Sequence, residues 1–446
     1  MLGAAAGADQ SARTVIVLAH GVGSRADLPV PVWLAIAGAA FAVIASFVAL
    51  GLLWPKPRLR ADAGRPLPVA VQAAVDSPVT TWVLRTVVLA VTTVVVAVAL
   101  VGPAQPPQNL GVYGFYITFW VGLVPVSLLL GPVWRRVNPL RTLHALLAPL
   151  TGPAPAAERL DRIGLWPAAV ALLLYAWLEL DYPGRSQPST VGLFLVFYGV
   201  AQLIAALWFG PGWFAQGDGF EVYSTLLGRL APIGRRSDGR LVLRNPLDGA
   251  EGTPPLPGLA AVVVALVGTT AFDGVTRTQW WQNGPGRAGG SAGLTATLGL
   301  LDTVLLVAAL YVGATLLSGR ISGTGDGPTT YAHSLIPIAA GYAVAHYFSL
   351  LLLDGQLTWI LASDPFQTGL NLFGTAGNAV NYTAISPRII SLVQVGAIVL
   401  GHVLGVVLAH DRAVRVAPPR RALVAQYPLL VVMVAFTVAG LGLLLG

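Results

Sequence analysis

Four of the six histidines, His333, His346, His402 and His410, fall in the last third of the chain, and Asp302 shortly precedes them. Imidazole and carboxylate are side chains that pass protons and ligate divalent metals near neutral pH. Cysteine is absent, which excludes thiolate ligands, thiol nucleophiles and disulfides. The chain contains no G-x-x-x-x-G-K-[ST] loop and no H-E-x-x-H pair. ATP-driven work by this chain alone therefore lacks its phosphate cradle, and Gly323, Gly325 and Gly327 read as a turn, since no strand precedes them.

These groups must be positioned by elements of unusual composition. Of the 446 residues, 55% are hydrophobic and 10% charged, against about 25% charged in soluble domains. Ten apolar stretches are long enough to cross a bilayer: Val32–Trp54, Trp82–Val101, Tyr113–Leu130, Trp166–Leu180, Val191–Phe209, Leu256–Phe272, Leu294–Leu317, Tyr331–Leu353, Ile389–Ala409 and Tyr427–Leu445. The fold class is all-α membrane protein with about ten transmembrane helices. Residues 1–31 read as an exported N-terminal tail and 32–446 as the polytopic domain, divisible into halves 32–209 and 256–446 joined by a cytoplasmic segment 210–255.

Connections after odd-numbered spans hold nineteen Lys and Arg residues, whereas the other side and both tails hold six. By the positive-inside rule the arginine-rich side is cytoplasmic and both termini lie outside. The net charge of +7 thus belongs to loops that meet anionic headgroups; the expected partner is the lipid bilayer and not nucleic acid. Most tryptophans fall at span ends, where an amphipathic ring prefers the interface, and Trp120 is the exception. Val133–Leu150 has helical apolar spacing among arginines and reads as a helix lying in the membrane surface. Phe220–Leu230 has similar character, Gly239–Leu247 reads as a short hairpin, and Asp354–Pro387 as an outer cap.

Ionisable groups inside spans are the natural functional candidates. At about 1.5 Å per residue, Asp302 lies roughly 12 Å and His346 roughly 10 Å below the outer face, on consecutive spans. A carboxylate beside an imidazole at one depth can bind a cation, pass a proton, or form a neutral structural pair. Asp302, His346 and His402 are the candidate substrate or proton site. The same three are candidate ligands for copper or zinc, with His333 and His20 as further donors; His20 would become a terminal chelate if export cleavage followed Val17-Leu18-Ala19. The thirteen-residue interval from His333 to His346 is that of helices holding two haems, but the interval from His402 to His410 is eight, so paired axial ligands do not line up. Glu179, Asp181 and Asp273 sit near outer span ends, where solvated carboxylates need no special role. Arg85, about one turn from a cytoplasmic end, can snorkel.

The run from His20 to Leu34 resembles the N-terminal region of a family of bacterial integral membrane proteins, some of which carry the name fenitrothion hydrolase. Further matching segments are Val137-Asn138-Pro139-Leu140-Arg141, Phe272-Asp273-Gly274, His333 to Ala339, Ala345-His346-Tyr347 and Gly401-His402-Val403. The resemblance spans most of the chain. It implies a multi-pass protein of the bacterial plasma membrane and carries over no catalytic residue. Relatives begin with a fuller export signal than Thr14–Ala19 provides.

Two fives of opposite orientation permit an inverted repeat, and Pro125 and Pro337 interrupt the corresponding third and eighth spans. These features point to a transport or permeation protein with an intramembrane Asp/His site. The alternatives are a membrane-embedded metal- or haem-dependent enzyme, hydrolytic or redox, and an accessory subunit without chemistry of its own. Pro337 cannot donate to the His333 carbonyl, so a break in the eighth span is expected there.

Overall fold

The computed structural model describes residues 30–287, 292–325 and 327–445. His20 and nearly all of the tail read as exported lie outside the described residues. The chain is an all-α, multi-pass membrane protein. In hydrocarbon every backbone N–H and C=O must be bonded within its own segment, and these apolar runs can satisfy that only as helices.

The first half contains α1 (Val32–Leu53), β1 (Arg65–Pro66), α2 (Val69–Asp76), α3 (Pro78–Val101) and a third span that changes hydrogen-bonding pattern along its length. That span runs from α4 (Leu110–Tyr113) through a π-helix (Gly114–Val121) into α5 (Leu123–Leu130). After it come α6 (Pro139–Thr151), α7 (Trp166–Leu180), α8 (Pro188–Phe209) and α9 (Gly219–Arg229). Strands β2 (Ile233–Arg235) and β3 (Leu241–Leu243) and the short α10 (Pro246–Glu251) lead into the second half. Its helices are α11 (Leu259–Thr276), α12 (Ala292–Ser322), α13 (Ile336–Leu353), α14 (Gly355–Ala362), α15 (Pro387–Val416) and α16 (Tyr427–Leu445).

Among the described residues nine helical segments are long and apolar enough to cross a bilayer; the tenth expected span, α7, is shorter and meets the helical turn before it at 67°. The turn is made at Gly164, which adopts φ 58°, where a side chain is strained and its Cβ would strike Pro257. Along α12 the exposed leucines Leu294, Leu298, Leu301 and Leu305 form a stripe at helical spacing, the face a spanning helix turns to lipid. On the arginine-rich face β2 and β3 form a hairpin, Gly234 opposite Val242, that turns at Gly239, so its first strand precedes the Gly239–Leu247 stretch read as the hairpin; β1 adds antiparallel to β3 from a distant part of the sequence.

Helices α13 and α15 cross so closely that a Cβ on Gly341 would lie 2.5 Å from the Ala397 carbonyl oxygen, and one on Gly401 would lie 2.6 Å from that of Pro337. Small residues at such crossings let helices gain dispersion contacts that lipid cannot outcompete. Gly341→Val is therefore expected to destabilise the bundle by about 1–3 kcal/mol or more, whereas Gly396→Ala on the same α15, with nothing near its Cβ, is expected to be tolerated. Size-exclusion profiles after graded heating measure both; equal melting of the two variants would contradict this packing.

At the break expected at Pro337 the structure shows a change of hydrogen-bonding pattern within one span, Pro328–Ala362. Residues Ala332–Leu335 form a 3-10 turn and the α-helix begins at Ile336, with Pro337 in its first turn. The His333 carbonyl is not left free, because the Ile336 N–H donates to it. Pro125 holds the matching place in the third span, in the first turn of α5 directly after the π segment. One sequence expectation is corrected here: Phe220–Leu230 does not lie on the surface. It corresponds to α9, which is enclosed on all sides, with Glu221 and Ser224 fully buried. By contrast Leu146, Leu147 and Leu150 of α6 are exposed as a surface helix requires.

Candidate functional site

The third span explains the misplaced tryptophan. Trp120 sits on the π-helix, where i→i+5 bonding makes Gly122 N–H donate to the Ile117 carbonyl; such segments are rare and recur at functional sites. Its ring is buried, stacks on Tyr223 of α9 at 4.6 Å and lies 4.4 Å from that of Tyr175. The indole N–H donates to the Tyr347 hydroxyl at 3.0 Å, and that hydroxyl lies 3.5 Å from a Glu179 carboxylate oxygen.

Next to this array is an ion cluster. Asp273 and Arg277, one turn apart at the end of α11, pair at 2.7 Å, and His346 Nε2 of α13 approaches the same Asp273 oxygen at 2.6 Å. A nitrogen and a carboxylate oxygen that close require a proton between them, so the network assigns the hydrogen to Nε2. An Arg277 nitrogen lies 3.2 Å from that Nε2. The Asp273 and His346 side chains are only 10% and 13% exposed, inside helices that span the membrane. Glu179, Asp273 and His346 share the wall of a cavity of about 30 Å³, which exceeds the roughly 10–15 Å³ that one water needs. A second cavity of about 250 Å³ lies on the other side of His346, among α11, α12, α13 and α16.

The sequence candidates separate. His346 is in the cluster. Asp302 is not: it is exposed on the leucine stripe of α12, and among the described residues no side chain pairs with it. The carboxylate that meets His346 is Asp273, one of the residues read as an ordinary solvated end group; Glu179 and the buried Asp181 were read the same way and also point inward. His402 is fully buried one turn from Ile398, whose carbonyl accepts from its Nδ1 at 2.9 Å, and its ring packs against Tyr342 at 5.7 Å. His333 belongs to the arginine-rich face, where its Nε2 lies 3.2 Å from a Glu251 oxygen and Glu251 also meets Arg412 and Arg415. His410 lies between the Gln426 side chain and the Trp54 carbonyl. Among the described residues no three His, Asp or Glu side chains converge as a metal-binding set.

No family model, no curated protein and no solved structure matches this chain. The site must therefore be read from its own geometry. Two of the segments singled out in the sequence, Phe272-Asp273-Gly274 and Ala345-His346-Tyr347, each supply one member of the pair. A third, Val137 to Arg141, builds a separate buried network. There Arg141 grips Glu221 at 2.6 and 2.7 Å, while Asn138 and Tyr198 donate to Asp218 at 2.8 and 2.6 Å and Asp218 accepts the Phe220 N–H of α9. This network holds in place the helix whose Tyr223 stacks on Trp120.

Proposed function

We propose that the protein is a proton-conducting transport or permeation protein of the bacterial plasma membrane, with its arginine-rich face in the cytoplasm. The observation that carries this reading is the Asp273–His346 contact of 2.6 Å with Glu179 across the same small cavity. An ionisable pair within membrane-spanning helices is costly to keep, and proton relays and ion pathways are among the functions for which such pairs are kept. A proton taken up at Nδ1 of His346 makes the ring an imidazolium, whose Nε2 hydrogen passes to the Asp273 oxygen bonded to it; the ring is left neutral with its hydrogen on Nδ1, and the neutralised carboxyl loosens its hold on Arg277. The cavity has room for a water that would bridge Asp273 and Glu179, and Tyr347 extends the chain of hydroxyl and indole donors towards Trp120.

The purified protein, reconstituted into liposomes with an entrapped pH dye and driven by a valinomycin-clamped potassium gradient, is expected to acidify the lumen faster than protein-free liposomes. Equal rates would overturn the reading.

A further inference from the structure

The arginine-rich face carries a second pairing of imidazole and carboxylate. Glu251 ends α10, just before α11 begins, and His333 sits in the 3-10 turn before α13; their side chains are 6% and 2% exposed. Glu251 Oε1 takes the guanidinium of Arg412 at 3.1 Å and that of Arg415 at 3.3 Å, both from the end of α15. Asp411 holds Arg415 from its other side at 3.0 Å. Glu251 Oε2 is turned instead to His333, 3.2 Å from Nε2, yet neither of these two atoms makes a hydrogen bond within the protein. The ring's hydrogen bond goes to the Leu408 backbone on α15. Since Nε2 makes none, the hydrogen committed there is that of Nδ1.

A neutral imidazole held in this way points the lone pair of Nε2 at a carboxylate oxygen. Two acceptors face to face repel, and a buried polar atom without a partner carries its full desolvation cost. The two guanidinium groups already balance the carboxylate through Oε1, so a structural ion pair needs no imidazole beside Oε2. The arrangement calls for a proton between Nε2 and Oε2, directly or through one water. With Nδ1 committed to Leu408, the ring gains a proton only at Nε2. It gives that proton up from the same atom to Glu251 and returns to its starting tautomer. Water reaches the cluster past Arg415, whose side chain is 41% exposed, against 15% for Arg412.

The outer site has the same composition. There a carboxylate at the far end of α11 meets Nε2 of a histidine on α13 and a guanidinium, in Asp273, His346 and Arg277. Three residues of 3-10 turn and ten of α-helix carry the chain from His333 to His346, about 20 Å. Between the two, α13 gives the outer cavity only the small side chains of Ala339 and Ala343.

We propose that Glu251 and His333 form the inner proton port of the path whose outer site is Asp273 and His346. The proposal rests on the proton reading of that site and extends it to a defined pair on the arginine-rich face.

The test uses the full chain with isotope-labelled histidine in phosphatidylcholine nanodiscs, observed by nitrogen NMR and assigned with His333→Gln. From about pH 8 to about pH 5, the range in which imidazole takes up a proton, Nε2 of His333 is expected to change from a bare to a protonated nitrogen while Nδ1 stays protonated throughout. A His333 spectrum that does not change over this range, or one in which Nδ1 titrates, would overturn the proposal whether or not any other variant folds. In the liposome assay Glu251→Gln, whose amide oxygen still accepts from Arg412 and Arg415, is expected to lower proton entry by about a hundredfold or more while melting close to the unmodified protein. Glu251→Asp, which keeps the acid, should restore part of the flux. A purely structural clasp predicts the reverse: an early melt in Glu251→Gln with flux intact in the protein that remains folded. Absence of flux in the unmodified protein rejects the proton reading and the port together. Flux that persists in Glu251→Gln, or an unchanging His333 spectrum in a protein that conducts, rejects the port alone.

Discussion

Asp273→Asn is expected to reduce valinomycin-driven proton entry to the rate of protein-free liposomes. The amide keeps the size of the carboxyl group and can still accept from Arg277, but it cannot take up a proton at the oxygen that faces His346 Nε2 at 2.6 Å. Removing a positioned acid or base costs about a hundredfold or more where proton transfer limits the rate, which brings the flux to background. His346→Gln should follow it closely, since only a second titrating group is lost. Asp302→Asn is the informative companion. Sequence reading made Asp302 the partner of His346, whereas its exposed position on α12 predicts unaltered flux. Loss of flux in Asp302→Asn with retention in Asp273→Asn would reverse the assignment of the site.

The second large effect is on stability. Glu221 is fully buried and accepts two hydrogen bonds from Arg141, whose side chain is 15% exposed. Glu221→Leu strands that guanidinium in a low-dielectric interior and is expected to cost about 3–5 kcal/mol, the penalty for breaking one side of a buried pair. The double variant Arg141→Met, Glu221→Leu removes both charges and should recover most of that loss, because desolvation of the intact pair offsets much of its attraction. Thermal unfolding followed by intrinsic fluorescence in detergent provides the measurement. If the double variant melts as low as the single one, Glu221 contributes through another contact. The same experiment bears on the site, since α9 carries both Glu221 and the Tyr223 ring that stacks on Trp120.

The spans, their order and the sorting of arginines into alternate connections could be read along the chain, because each depends only on local composition and length. The hairpin at β2 and β3 was legible only in part: the stretch Gly239–Leu247 holds its turn and β3 but not β2. Its third strand was not: β1 pairs with Leu243 from across four spans and the surface helix between them. The discontinuity at Pro337 followed from the missing N–H of proline. The π-helix did not, although Trp120 announced it indirectly as the tryptophan that fitted no membrane boundary.

The candidate site divides along the same line. Depth in the membrane follows from counting residues at a fixed rise, and that count matched His346 with Asp302, whereas the carboxylate that meets it is Asp273. Direction around the helix axis is a different quantity. In a soluble protein one polar face would report it, but α12 is apolar on every side, and lipid is as good a solvent for leucine as another helix. Sequence alone therefore determined which ionisable groups the spans carry and placed His346 within the bilayer, since rise per residue is a property of the backbone; it matched His346 with Asp302 and read Asp273 as an end group. Only tertiary packing decided that the carboxylate is Asp273 and that Asp302 faces outward, because helix rotation is set by close contacts such as Gly341 against Ala397, and these involve residues far apart in the chain.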